Sequence, residues 1–353
     1  MAKIVVLATG GTIAGSADDA ADGVSYRAAQ LGVDALMQSV PGLVDLLQGD
    51  TLQAAQVAQI DSKDMDFAVW QQLAAQCAQH LAQPDVRGIV ITHGTDTLEE
   101  TAFFLQLALH SAPNAACWQH KPVVLTCAMR PATARLSDGP QNLADAVTLA
   151  RQPQACGVLA VCAGRIHAAD TVQKIHPYRL DAFGSGDAGA LGYVEEGQVR
   201  WLRPCAGWQA PESSTNSPTI AATPCSALWQ AIAHTAPAQW PWVEVLHSHA
   251  GATPRALLTL ADAGVRGMVL AGTGNATLHH ALLEALPTIT ARGVAMLLST
   301  RSTASQVVRQ ANAYNQTPAT EPIALARYGQ TVLSPAKARV QLLLQLLAQT
   351  AQL

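Results

Sequence analysis

The stretch Ile4-Val5-Val6-Leu7-Ala8-Thr9-Gly10-Gly11-Thr12-Ile13-Ala14-Gly15 decides how this chain is read: a short apolar, β-rich run that ends in a turn of glycines and threonines. The design returns at Gly88-Ile89-Val90-Ile91, which runs into Thr92-His93-Gly94-Thr95-Asp96-Thr97. Further apolar runs lie at 122–125 and 158–161, and helix-period segments near 64–82, 98–111 and 140–151 separate them. Strands covered by helices on both faces read as continuous apolar runs, so the pattern predicts a parallel α/β sheet. The second helix opens with Thr97-Leu98-Glu99-Glu100, the spacing of a capping box, which starts a helix immediately after Thr95-Asp96.

Beyond that core, residues 191–203 alternate around Glu196-Gly197 and predict a hairpin at a sheet edge. Residues 204–225 carry four prolines and a Ser/Thr cluster, which is linker composition. The expected organisation is therefore an N-terminal α/β domain over 1–203, a linker over 204–225 and a C-terminal α/β domain over 226–353. The larger N-terminal sheet is mixed or parallel with flanking helices, and the smaller C-terminal one is parallel. In the second domain, strand candidates at 242–247, 267–271 and 294–299 alternate with helices near 254–264 and 278–291. Ser334 and Pro335 open the last helix as N-cap and first helical residue.

Composition narrows the function. Of 353 residues 49% are hydrophobic and only 13% charged, so the chain can bury a large core and is not disordered. A net charge of -4 supplies no basic field for gathering phosphates, which argues against nucleic acid as a partner. The seven cysteines are odd in number and form no C-x-x-C pair, so neither a disulfide framework nor structural zinc is expected, although Cys77 and Cys117 stand as a conceivable pair. No 18-residue apolar run exists, so no membrane span is expected. Ile4 to Ala8 is too short for the apolar region of a signal peptide, which predicts a cytosolic protein.

Both glycine-threonine turns follow the carboxyl ends of strands, where open α/β sheets form their ligand crevice. Glycine lets a backbone approach a substrate closely, and a threonine hydroxyl becomes a nucleophile once a base removes its proton. Asp96, beside Thr95, can hold a cationic group or receive a proton. Neither G-x-G-x-x-G nor the phosphate-binding G-x-x-x-x-G-K-[ST] fits residues 10–15, and G-x-S-x-G and H-E-x-x-H are absent. The pairs His247/His249 and His279/His280 lack carboxylate or cysteine companions at metal spacing, so no metal and no cofactor are expected. These features describe hydrolase equipment, while the Gly-Gly turn alone and a Thr-Asp-Thr helix cap alone remain open as plain structural elements.

ATGGTIAG (8–15) together with ITHGTDTLEETAFFL (91–105) resembles the bacterial L-asparaginase and glutaminase-asparaginase family. The likeness continues through IDSKDM (60–65), AMRP (128–131), SDGPQNLADAV (137–147), AGTGN (271–275) and SPAKARVQLLLQL (334–346), nearly the whole chain. It implies that Thr12 attacks the side-chain amide carbon of asparagine, giving an acyl-enzyme, with ammonia leaving first and aspartate second. It places Tyr26 beside Thr12 to assist its deprotonation, and makes Thr95, Asp96 and Lys174 a second triad in which a buried lysine amine turns Thr95 into a proton shuttle or activates water. Ser62 is expected on the substrate α-carboxylate, Asp96 on its α-ammonium and the Ala128 carbonyl beside the amide nitrogen. Gly11 is expected among the substrate-binding positions, and backbone amides of the two loops as the oxyanion hole. The resemblance further implies a homotetramer of intimate dimers acting on a small molecule, asparagine, with glutamine as the alternative.

Two departures bear on specificity. Lys63 follows Ser62 where the family commonly has Gln or Glu, and Asn312 stands where a neighbouring subunit usually contributes a Glu to the α-ammonium, with Glu321 a substitute. Both remove negative charge from that end and leave open a substrate whose amino group is blocked. Thr277 stands where relatives carry Asn or Ser. The alternatives are a glutaminase-asparaginase, an amidase acting on a modified amide or drawing ammonia from glutamine for a partner enzyme, and, in another class, a catalytically silent amino-acid-binding protein.

Overall fold

A computed structural model of the chain describes residues 1–21, 25–113, 115–118, 120–207, 225–302, 307 and 329–350. The chain divides into two compact units, Met1–Ala210 and Pro211–Leu353. The linker expected over 204–225 lies mostly outside the described residues.

The first unit is built on an eight-stranded sheet. In chain order its elements are β1 (Lys3–Gly10), α1 (Val33–Gln38), α2 (Leu43–Leu47), β2 (Thr51–Ile60), α3 (Phe67–Leu81), β3 (Val86–Thr92), α4 (Leu98–His110), β4 (Val123–Thr126), α5 (Gly139–Ala150), β5 (Val158–Cys162), β6 (Arg165–Ala168), the ribbon strands β7 (Gln173–Lys174) and β8 (Phe183–Gly184), β9 (Gly192–Glu195) and β10 (Gln198–Trp201). The sheet order is β10-β9-β6-β5-β4-β3-β1-β2. β1 to β5 pair parallel, whereas β6, β9 and β10 turn antiparallel, which gives the mixed sheet expected from sequence. The hairpin forms around Glu196-Gly197, both at positive φ, as a twisted two-residue turn requires.

β1 is the spine. Ile4, Val5, Val6 and Leu7 are wholly buried, and each such aliphatic side chain contributes about 1.5–3 kcal/mol relative to exposure. β1 runs parallel to both neighbours with Ala8 opposite Thr92 of β3, so the turns that follow the two strands leave the same end of the sheet side by side. Thr9 Oγ1 donates to the Thr92 carbonyl at 2.9 Å and ties them there. At the opposite end, Asp50 Oδ2 receives Arg87 Nε and Arg151 Nε, each at 3.0 Å.

The sequence reading has no strand at β2. Its residues TLQAAQVAQI form no apolar run, because β2 is an edge strand whose burial alternates and never becomes complete. α1 and α2, of 6 and 5 residues, were likewise too short to carry a periodic signal. The capping box is also corrected. Helix α4 starts where expected, but the Thr97 hydroxyl makes no cap bond and donates instead to the Ser62 carbonyl at 2.8 Å.

The second unit contains α6 (Cys225–His234), β11 (Val243–His247), α7 (Arg255–Asp262), β12 (Gly267–Gly272), α8 (His280–Ala291), β13 (Ala295–Thr300), β14 (Gly329–Gln330) and α9 (Pro335–Thr350). Among the described residues its four strands are all parallel, in the order β11-β12-β13-β14. Ser334 Oγ accepts the Lys337 N–H at 3.4 Å, the cap read from the sequence. Among the described residues no helix is long and apolar enough to cross a membrane.

Two stability predictions follow from this packing. A Cβ at Gly88 would lie 2.4 Å from the Ala150 carbonyl oxygen, so Gly88→Ala pushes α5 off the sheet and lowers the unfolding free energy by about 1–3 kcal/mol in thermal or urea melts. His93, just past β3, is wholly buried and donates through Nδ1 to the Gly94 carbonyl at 2.7 Å; burial pushes its pKa from the ordinary 6.5 down to about 4. Its folded value is depressed, so its contribution to stability is complete above 6.5 and is lost as pH falls towards 4, where the unfolded chain takes a proton the folded one refuses. Between pH 7.5 and 5 the native protein loses about 2 kcal/mol more than His93→Gln. Urea titrations of the two proteins measure the difference, in which the opposing titration of Asp145, whose carboxyl burial raises to about 6, cancels.

Candidate active site

Two backbones touch at the end of the sheet. Gly11 sits at φ +80, and a Cβ there would come within 2.3 Å of the Gly94 Cα; a Cβ on Gly94 would lie 2.4 Å from Ser62 Oγ. Side chains on these glycines would prise three segments apart, so glycine is required by space and, at Gly11, by conformation. Thr12 and Thr95 are each one residue beyond that contact, a single 3.8 Å step of the Cα trace. Both are 6% exposed and Ser62 is 2% exposed.

Thr12 Oγ1 lies 2.6 Å from the Tyr26 hydroxyl. Burial pushes the Tyr26 phenol above its ordinary 10.0, against the pull of the Thr12 hydrogen bond, and the carboxylates of Asp61 and Asp96 push it further. The phenol is therefore neutral at physiological pH. On the other loop, Lys174 Nζ donates to Thr95 Oγ1 at 2.8 Å and to Asp96 Oδ1 at 2.6 Å. Because the ammonium can only donate, the Thr95 hydroxyl accepts from it and keeps its own proton to give elsewhere. Lys174 is 19% exposed and Asp96 50% exposed, and Asp96 Oδ2 carries no hydrogen bond among the described residues. The lysine thus sits against a half-open carboxylate.

Neighbouring residues fix these groups. Glu99, in the first turn of α4, accepts the Lys174 backbone N–H at 2.8 Å and so holds β7 over the second loop. Ser62 Oγ accepts the Asp96 N–H at 3.2 Å, which anchors Asp96 to the segment after β2. The Gly11 N–H is spent on the Ile60 carbonyl at 2.8 Å, so Gly11 brings a bare Cα rather than a donor. The N–H groups of Thr12 and Thr95 donate to no acceptor among the described residues.

Ala128 is wholly buried at the end of β4. Asp138 holds the loop that contains it: Met129 N–H donates to Oδ2 at 2.9 Å and Arg130 N–H to Oδ1 at 3.0 Å. Asn142 Nδ2 donates to the same Asp138 Oδ2 at 3.1 Å and to the Cys127 carbonyl at 2.8 Å, while its Oδ1 accepts the Ala163 N–H at 3.0 Å. Sequence reasoning assigned no role to Asp138, Asn142 or Glu99. The available signal was SDGPQN, where an Asp before Gly-Pro reads as an ordinary helix cap. The thiols of Cys127 and Cys162 lie 3.1 Å apart beneath this loop, and burial pushes the Cys127 thiol well up. Cys77 is a free, fully buried thiol and not half of a disulfide; the Cys117 side chain lies outside the described residues.

The departures read from sequence resolve in part. Lys63 is exposed and ion-paired with Asp64, which raises its pKa, so its charge is locally balanced. Asn312 and Glu321 lie outside the described residues. In the second unit, the Thr277 hydroxyl donates to the Thr273 carbonyl at 2.8 Å and closes its own loop. Among the described residues, no group of three or more His, Cys, Asp or Glu is placed to hold a metal ion.

A family model described as "Asparaginase, N-terminal" matches residues 3–206, and one described as "Glutaminase/Asparaginase C-terminal domain" matches residues 242–352. A glutaminase-asparaginase of Acinetobacter glutaminasificans is 36% identical over 312 residues, covering 88% of this chain and 86% of the relative. A probable periplasmic L-asparaginase of Haemophilus influenzae is 33% identical over 351 residues, covering 98% and 88%. The crystal structure of a probable cytoplasmic L-asparaginase from Campylobacter jejuni superimposes with a TM-score of 0.80 at 32% identity, covering 100% of this chain and 98% of that one. With both family models matched in order and relatives of this similarity along most of its length, the chain belongs to the asparaginase family.

Proposed function

We propose that this protein hydrolyses the side-chain amide of L-asparagine to L-aspartate and ammonia through a threonine ester on Thr12. The observation that carries the reading is the pairing of each loop threonine with its own proton-handling partner, Tyr26 at 2.6 Å and Lys174 at 2.8 Å, on loops whose backbones touch. In acylation, Thr12 Oγ1 adds to the amide carbon and gives its proton to Tyr26, which as a neutral phenol passes its own to the departing nitrogen. The C–N bond breaks and ammonia leaves. In deacylation, water adds to the ester, the Thr12 oxygen departs with a proton, and aspartate is released. Thr95, polarised by the Lys174 ammonium, donates its proton to the developing charge and orients the water. The unpaired N–H groups of Thr12 and Thr95 are the oxyanion donors, and the open Oδ2 of Asp96 receives the substrate ammonium while Ser62 Oγ meets its carboxylate.

The same reading takes the working unit as a homotetramer. It is supported by large apolar side chains exposed close in sequence to the site, Leu136 at 72%, Ile175 at 51% and Tyr178 at 56%. A cytosolic location, supported by the name of the Campylobacter neighbour and opposed by that of the Haemophilus relative, belongs to the proposal too. The glutaminase-asparaginase alternative rests on the Acinetobacter relative.

Ammonia release from asparagine and from glutamine tests the reading. Thr12→Ala and Thr95→Ala each lower kcat on the preferred amide on the order of 10³-fold, and Tyr26→Phe on the order of 10²-fold, with aspartate binding retained. Turnover indifferent to both threonine substitutions puts the chemistry elsewhere. Tight amino-acid binding with no turnover of any amide makes the protein a binding module.

A further inference from the structure

Cys156, in the turn that enters β5, and Cys205, just after β10, stand 49 residues apart in the chain, yet each thiol reaches the other's backbone. Cys205 Sγ donates to the Cys156 carbonyl at 2.9 Å and Cys156 Sγ to the Cys205 carbonyl at 3.7 Å. The two thiols also hydrogen-bond each other. Other groups hold the backbones around them together. Gln106 of α4, 6% exposed, accepts the Val158 N–H through Oε1 at 2.9 Å and donates through Nε2 to the Gly207 carbonyl at 3.4 Å, so one side chain binds both segments. Gly157 stands at φ +71, and a Cβ there would lie 2.9 Å from the Gly207 carbonyl oxygen, so the segments meet backbone to backbone. Both cysteines are free thiols and both are half-buried. Cys127 and Cys162 are also adjacent, at 3.1 Å, but they are 1% and 4% exposed, and Cys77 is wholly buried. Thiol-disulfide exchange needs a sulfur that a reagent can reach as well as a partner close by.

We infer that Cys156 and Cys205 are a modification site, a dithiol that closes to a disulfide by exchange with a low-molecular-weight disulfide and fastens the outer half of the large sheet. The inference stands apart from the amide reading. One cysteine loses its proton and its sulfur attacks the reagent disulfide, giving a mixed disulfide and one reagent thiolate, which takes up the proton. The other cysteine, deprotonated in turn, attacks the protein sulfur of the mixed disulfide. The Sγ–Sγ bond forms and the second reagent thiol leaves, so two cysteine thiols are oxidised while one reagent disulfide is reduced to two thiols. The ring so closed contains β5, β6, the β7–β8 ribbon, β9 and β10. β10 is the edge strand and β5 lies inside the sheet, so the bond ties the free edge back to the interior. A link across about 50 residues restricts the unfolded chain strongly, whereas the folded chain already holds the two positions together.

The test incubates the reduced full chain with oxidised glutathione at about pH 8, near the ordinary thiol pKa. Remaining thiols are alkylated, and cross-linked peptides are mapped by mass spectrometry beside a thermal melt. The expected map shows Cys156 joined to Cys205, with Cys77, Cys127 and Cys162 still reduced. The Tm rises by about 5–10 °C and dithiothreitol reverses the rise. Cys156→Ser and Cys205→Ser each abolish both the cross-link and the rise; the map needs only the unsubstituted protein, so a variant that fails to fold does not remove the test. Glutathione left attached to either cysteine, or both thiols recovered free, overturns the inference, as does a link between other cysteines in place of this one. A Cys156–Cys205 link that moves the Tm by less than about 2 °C overturns the fastening role.

Discussion

The site depends on one steric constraint, the contact of Gly11 with Gly94. Two adjacent parallel strands in register deliver two turns to the same place, and only the lack of side chains lets those turns close on each other and on Ser62. The cohesion is supplied from below, where the wholly buried run Ile4–Leu7 holds β1 between its neighbours. Burial of apolar surface thus funds a junction of bare backbone that has little adhesion of its own.

On that junction two like hydroxyls are given unlike characters. Thr12 faces a phenol that burial keeps neutral, and Thr95 faces an ammonium that has already filled one of its lone pairs. The two oxygens therefore stand against different partners, a neutral phenol and a lysine nitrogen that donates. The difference lies in partners brought from distant parts of the chain, Tyr26 from the segment after the first turn and Lys174 from a two-residue ribbon held by Glu99.

This division explains what could be read from the amino-acid order. Strands β1, β3, β4 and β5 were legible because burial on both faces forces unbroken aliphatic runs, and the last helix because Ser334 and Pro335 mark its start. β2 was not, since an edge strand satisfies its exposed side with Gln and Ala. The two threonine loops stood out from their glycines and their place after strands. Tyr26 and Lys174 were reached only through the family likeness, because nothing in their spacing foretells a contact 14 or 79 residues away. Thr97 and Asp138 illustrate a further limit. Both occupy helix-start positions, where a short polar side chain ordinarily bonds its own helix, yet both reach across to another segment, and only three-dimensional proximity decides between those uses.

The ion pairs of Asp50 with Arg87 and Arg151 sit at the far end of the same sheet, a full strand length from either threonine turn. The Asp50 ion pairs and the two threonine turns therefore stand at opposite poles of one scaffold. A protein engineer seeking heat tolerance can rework the Asp50 pole while leaving the backbone contact between the two threonine turns as it is.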